Sequence, residues 1–359
     1  MKTYRKGRAL LSAAACVAAV GLVLTGCTNT GTTSSASTGS ATDAAQTAAA
    51  VSGPTCSLAD YKGDKIDLTQ AIVGFSQSEK EDNPFRIAET QSITDEAAKI
   101  GVKKFIKTNA QSTLSKQISD INDLISQGAQ VLIVAPLNSD GLEPALKAAR
   151  DKNIPVITID RKLNATACSD YVSFLGSNFV QQGQRAADQL IAGTKGTAKV
   201  AVLLGSSGNG VTTDRTSGFV DEIKAKGPGI TIVAQQTGDF ARDKGQSVTE
   251  QLLQSNPDIT AIYAENDEMG LGAQAAIIAA GKTPGKDIQI YSIDGTKNAV
   301  SQIVTGAYNG VIESNPRFGP LAFATLKSFL AGDAVGQDIV IQDSQYDSSN
   351  AAAKVDSAF

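Results

Sequence analysis

Short apolar runs that stop abruptly at polar or charged residues recur along the chain. Val156-Ile157-Thr158-Ile159 is the clearest, closed by Asp160-Arg161 and preceded by Pro155. Such a run reads as a strand covered on both faces, as in a parallel sheet. Between the runs, apolar positions recur at helical spacing. Leu114, Ile118, Ile121 and Ile125 are closed by Gly128, and Ile87, Ile93, Ala97 and Ile100 by Gly101. The pattern predicts strands at 71–75, 103–107, 131–135 and 156–159, separated by helices over 85–100, 114–125 and 142–150. A second series follows. Its strands fall at 199–204, 230–234, 260–263 and 287–293, and its helices at 179–192, 214–225, 242–254, 267–280 and 297–305. A last helix covers 321–330. The segments near 171–175, 311–312 and 338–342 read as crossings between the two series. The fold class is therefore α/β, two similar parallel-sheet lobes joined by three hinge crossings.

The first 27 residues stand apart. Lys2, Arg5, Lys6 and Arg8 precede an apolar run, Ala9 to Leu24, and then Leu24-Thr25-Gly26-Cys27. This is the pattern of a secretory signal and is set aside from the fold. The run is short for a membrane span, which needs about 20 apolar residues. Leu-Thr-Gly-Cys resembles the bacterial lipobox, which implies that Cys27 becomes the lipidated first residue of the mature chain. Several acyl chains on one residue would hold it at the membrane. Residues 28–67, rich in Thr, Ser, Gly and Ala up to about residue 55, are expected to be a flexible tether reaching roughly 30 Å.

Composition narrows the chemistry. The 359 residues include no His and no Trp, so the common neutral-pH base and the commonest metal ligand are both missing. Neither a metal nor a cofactor is expected. Of 32 basic residues four leave with the signal, so 28 face 36 acidic ones and the mature charge is −8. Nothing makes a basic patch for nucleic acid. Cys16 also leaves with the signal, and Cys56 and Cys168 remain. An even pair in an exported chain suggests a disulfide, with two free thiols as the alternative.

In open α/β sheets ligands bind beyond the carboxyl ends of the strands. Five such ends carry polar clusters. The loop 76–86 brings Asp82, Asn83, Phe85 and Arg86, where an aromatic ring could stack on a sugar and the arginine and amide could donate to hydroxyls. Asp160 and Arg161 offer an acceptor for vicinal hydroxyls and a rigid fork of donors. The Gly-rich loop 205–215 lacks the phosphate-loop ending and the nucleophile-elbow pattern. It leads instead to Arg215, expected at a helix start, where it would oppose the helix dipole. Asn266 is a ligand candidate and Asp267 a helix cap. Asp294 closes the fifth strand.

At these residues the chain resembles the type I substrate-binding proteins of bacterial sugar ABC transporters. The likeness is to the ribose-type branch, with its galactofuranose-binding and other pentose, fructose or furanose binders. The stretches that carry it are Val73-Gly-Phe-Ser-Gln77 with Phe85-Arg86, Ile154 to Arg161, Asp214 to Phe219, Gly238-Asp-Phe240 with Lys244-Gly245, Asn266-Asp267, and Ser292 to Gly295. The resemblance spans roughly residues 68–350. It implies binding roles for Phe85, Arg86, Asp160, Arg161, Arg215, Asn266 and Asp294, with Asn83 and Asp82 in the matching loop and Glu313 at a crossing. The loop is one residue longer than the furanose-binder pattern, and Phe85 stands where those proteins have Trp. The implied lobes are 68–173 with 314–337, and 174–313 with 338–350.

The implied protein is a monomeric, lipid-anchored, extracytoplasmic receptor. It would bind a monosaccharide between its lobes and deliver it to a membrane permease and its ATPase. Two alternatives share the site: a receptor presenting ligand to a membrane sensor, and a glycosidase using Asp160 and Asp294. The latter would need carboxyls about 5–5.5 or 6.5–9.5 Å apart.

Overall fold

The computed structural model describes Gln46 and residues 48–359. The signal, Cys27 and the first part of the expected tether lie outside the described residues. Where the chain is described, strands and helices alternate. The first part runs β1 (Ala48–Cys56), α1 (Leu58–Tyr61), β2 (Ile72–Gln77), α2 (Pro84–Ile100), β3 (Lys104–Asn109), α3 (Leu114–Ser126), β4 (Val131–Val134), α4 (Glu143–Arg150), β5 (Val156–Ile159) and β6 (Ser173–Gly176). The second part runs α5 (Phe179–Gly193), β7 (Thr197–Leu204), α6 (Gly210–Lys226), β8 (Gly229–Thr237), α7 (Arg242–Ser255), β9 (Ala261–Ala264), α8 (Asp267–Ala279), β10 (Gln289–Asp294), α9 (Lys297–Thr305) and β11 (Gly310–Glu313). Then come α10 (Gly319–Ala331), β12 (Val335–Ile341), β13 (Gln345–Asp347) and α11 (Ala351–Lys354).

Two sheets result, ordered β1-β12-β6-β5-β4-β2-β3 and β13-β11-β10-β9-β7-β8. All pairings are parallel except β1 with β12 and β11 with β13, each at an edge. The central strands β4, β5 and β9 are buried at every residue, because helices cover both faces. The two-lobed α/β expectation therefore holds.

Its boundaries differ in three ways. Residues 48–61, read from sequence as tether, form β1 and α1. The side chains of β1 are mostly exposed, and it adds to the sheet edge through its backbone, so no apolar alternation announced it. The Cys56–Cys168 disulfide, with a sequence separation of 112, fastens this edge to the loop that follows β5. The third crossing lies at 342–344, not at 338, because β12 continues through Ile341 as a member of the first sheet beside β6. Finally, α11 and Ala358 pack in the second lobe, beyond the expected end at residue 350.

Close helix packing fixes one part of the site directly. Gly183 of α5 sits so near α6 that a Cβ there would come within 2.2 Å of the Arg215 carbonyl oxygen. Only a residue without a side chain allows that approach.

Candidate functional site

The strand ends of both sheets face one another across a cleft. Its walls include Asn83, Phe85, Arg86, Asp160 and Arg161 from the first lobe, and Arg215, Asn266 and Asp294 from the second. Eight residues read from the sequence thus meet in one place. Gly210 N–H donates to Ser139 Oγ across the lobes at 3.2 Å, and Val211 at the start of α6 packs into a first-lobe apolar cluster. The lobes are closed on each other.

Backbone geometry marks the same spot. Arg161 N–H donates to the Ile159 carbonyl at 2.7 Å, which makes Asp160 the centre of a three-residue turn at φ +64°. Asp294 has φ +138° and Phe240 φ +60°. Three non-glycine residues in the left-handed half of φ line one cleft. Strain of this kind persists where the surroundings over-determine it, and it clusters at ligand sites.

In the first lobe, Asn83 caps α2, accepting from Arg86 N–H at 2.9 Å, with Pro84 in the first helical position. That start aims Arg86 into a set of carboxylates. Its Nε donates to Glu79 at 2.8 Å, and its Nη1 lies 2.7 Å from Glu89 and 2.8 Å from Asp160. Arg161 donates to the other Glu79 oxygen at 2.8 Å and to the Leu137 carbonyl at 2.9 Å, while its Nε is buried without a hydrogen-bond partner. Burial would raise the Glu79 carboxyl, but Arg161 and Arg86 outweigh it and hold it down at about 2. Burial pushes Glu89 up, against the pull of Arg86. The Phe85 ring lies under the Arg86 guanidinium at 4.9 Å and meets the Phe359 ring edge-on at 5.9 Å.

In the second lobe, Arg215 Nε donates to Gln182 at 2.9 Å and Nη1 to the Glu265 carbonyl at 2.5 Å; Nη2 lies 3.7 Å from Asp294. Asp267 accepts from Gly295 N–H at 3.0 Å and Thr296 N–H at 2.7 Å, and this holds the turn that presents Asp294. Burial drives the Asp294 carboxyl well above the ordinary range. Arg215 opposes this, and Asp267 and Asp160 reinforce it.

Several expectations change. Asn266, not Asp267, caps α8: it accepts from Met269 N–H at 2.9 Å and donates to the Phe240 carbonyl at 3.0 Å. Arg215 is not at a helix start. α6 opens at Gly210, capped by Asn209, so Arg215 lies in the second turn and the dipole argument falls away. Asp82 precedes the Asn83 cap and lines an outer groove rather than the cleft. Glu313 sits at the hinge, where its carboxylate accepts from Ser344 N–H at 2.8 Å and from the Tyr346 hydroxyl at 3.2 Å.

Glu79, Val211 and Phe240 also line the cleft. Glu79 was hidden among Lys80, Glu81 and Asp82, a run that reads as a solvated loop. Glu89 stands three residues after Arg86 on one helix, a spacing that could have revealed the pair.

Three buried acids (Glu89, Asp160, Asp294), the half-buried Glu79 and three arginines (Arg86, Arg161, Arg215) make up the charged lining and its support. Each arginine of the lining is paired with at least one of these acids. An uncharged molecule rich in hydroxyls suits this site, because each carboxylate and guanidinium can trade part of its network for a hydroxyl. An anion would find every arginine already paired.

A family model for the periplasmic binding protein domain matches residues 73–334. The chain belongs to the periplasmic binding protein family. Among curated relatives of this periplasmic binding protein, the galactofuranose-binding protein YtfQ of Escherichia coli is 35% identical over 261 residues, 72% of this chain and 81% of that protein. The ribose import binding protein RbsB of Bacillus subtilis is 36% identical over 278 residues, 77% and 86% of the two chains. A solved arabinose ABC transporter binding protein from Shewanella, bound to α- and β-L-arabinofuranose, superposes with a TM-score of 0.76 at 32% identity over 79% of this chain and 94% of that one.

Proposed function

We propose that this periplasmic binding protein captures a neutral monosaccharide between its lobes and delivers it to an ABC permease. The ligand class is a pentose such as ribose or xylose, fructose, or a hexose in furanose form. The observation that carries the reading is the cleft itself: Asp160 and Asp294, strained at strand ends of opposite lobes, face one space walled by three paired arginines and two aromatic rings. Hydroxyl donors and acceptors on both sides, with Phe85 and Phe240 beside them, fit a sugar ring. Contacts to both lobes would favour the closed form over the open one, and closure is what a permease could read.

The relatives named for galactofuranose, ribose and L-arabinofuranose support the sugar class. The signal pattern and Cys27 support an extracytoplasmic, lipid-anchored protein. No chemistry is proposed for the acids: Asp160 is held by Arg86, and Asp294 stands beside Arg215.

Isothermal titration of the mature protein with D-ribose, D-xylose, L-arabinose, D-fructose and D-galactose tests the proposal. One or more should bind with saturable heat and a 1:1 ratio. No heat from any of them at millimolar concentration contradicts it.

A further inference from the structure

The three crossings meet at the Ser177 hydroxyl. Ser177 lies on the first, between β6 and α5. Ser314 lies on the second, after β11, and Asp343 on the third, between β12 and β13. Asp343 Oδ1 accepts from Ser177 Oγ at 3.0 Å, and Ser177 Oγ lies 3.5 Å from Ser314 Oγ. Arg185 of α5 binds the backbone of the same crossing, donating to the carbonyls of Asp343 at 3.1 Å and Ser344 at 2.9 Å.

One side chain leads from this knot to the cleft. Gln182, 1% exposed on α5, donates through Nε2 to Asp343 Oδ2 at 2.9 Å and to the Glu313 carbonyl at 3.3 Å. Its Oε1 accepts from Arg215 Nε at 2.9 Å. Both ends of the amide are therefore used, one on the hinge and one on a ligand-facing guanidinium. An amide cannot swap its ends without placing N–H against N–H and oxygen against carboxylate. The Asp343 carboxylate thus fixes which way Gln182 points, and Gln182, together with the Glu265 carbonyl, holds the plane of Arg215. In that plane Arg215 lines the cleft.

We propose that Gln182 is a positioning residue that couples Arg215 to the hinge, so that a hinge movement which displaces Asp343 also releases the guanidinium. Gln182 and Asp343 do not line the cleft. Their effect on ligand, which rests on the sugar-binding reading above, would run through Arg215. The crossings then do more than connect the lobes: opening withdraws a binding group, and closing restores it.

The test has one arm without sugar and one with it. In protein labelled with ¹⁵N-arginine, Arg215 Nε–H is assigned from its loss in Arg215→Lys. In Asp343→Ala and in Gln182→Met, its exchange with solvent should speed up by roughly tenfold or more, as expected when a hydrogen bond from a charged donor is lost. The Nε–H of Arg86, held by Glu79 within the first lobe, should not change and serves as the internal control. Arg215 exchange as slow in Asp343→Ala as in the wild type overturns the coupling. Should that variant not fold, Ser177→Ala, which removes one hydrogen bond to Asp343, is expected to give a smaller acceleration, and an unchanged rate counts against the proposal in the same way.

The second arm measures affinity for whichever sugar of the panel binds the wild type. Asp343→Ala and Gln182→Met should each weaken binding by roughly fivefold or more, and neither should weaken it further in the Arg215→Ala background. Additive losses in that background contradict the proposal. A wild type that binds none of the sugars defeats the functional reading alone, since the exchange arm still decides the coupling.

Discussion

Asp160 shows how a single residue serves the site. It ends a buried strand, sits at positive φ, and shares Arg86 with Glu79 and Glu89. A hydroxyl pair bound there would meet an acceptor already oriented. Asp160→Ala and Arg215→Ala are therefore expected to weaken sugar binding by at least about tenfold, or about 1.4 kcal/mol. The variants should keep the wild-type circular dichroism spectrum, because each leaves its own lobe's core intact. Unchanged affinity in both, read by titration, would contradict these roles.

The residues at strand ends were legible because a charge closing an apolar run has few structural reasons to be there. Phe240 and Glu79 were not. Phe240 reaches the cleft through a left-handed turn that no periodicity encodes, and the role of Glu79 exists only once Arg86 and Arg161 are brought together in space.

At the scale of elements, the helices and central strands follow from spacing and runs, while β1 does not. It has no apolar face to reveal it and joins the sheet by edge pairing to β12. Its tie to Cys168 closes a long loop, so reduction should destabilise the protein by about 5 kcal/mol on a chain-entropy account. Chemical denaturation with and without reductant, or of a Cys56→Ser/Cys168→Ser variant, checks this. Sugar affinity should be retained, because neither cysteine lines the cleft. An unchanged midpoint would mean that the edge strand is held by its backbone pairing alone.

The contact between α5 and α6 carries a second expectation. A methyl group at Gly183 would meet the Arg215 carbonyl oxygen at 2.2 Å, so Gly183→Ala must push the helices apart. It should lower the melting temperature and weaken sugar binding together. Wild-type affinity in a destabilised variant would separate helix packing from the site.

For the whole molecule, the two-lobe plan was readable because two series of alternating elements need two sheets. The place where each crossing changes lobes was less so, since β12 is continuous in sequence with the third crossing. Buried acids give the molecule a pH signature. Burial is the leading cause that lifts Glu265 and Asp343 to about 7, and it also raises Glu89, Asp267 and Asp294. Between an unfolded carboxylate's ordinary value near 4 and about 7, the folded chain binds more protons than the unfolded one. Stability therefore rises as pH falls from 8 to 5. Glu79, held at about 2, acts in the opposite direction only below its ordinary range. Thermal unfolding should show a higher midpoint at pH 5 than at pH 8, and the reverse order would contradict the buried-acid account.

Both lobes should grip one neutral sugar. A crystal structure of the mature protein grown with the best-binding sugar of the panel decides this. A sugar ring is expected between Asp160 and Asp294, with hydroxyls on both carboxylates and on Arg86, Arg161 or Arg215. A sugar bound elsewhere, or held by one lobe alone, would contradict this.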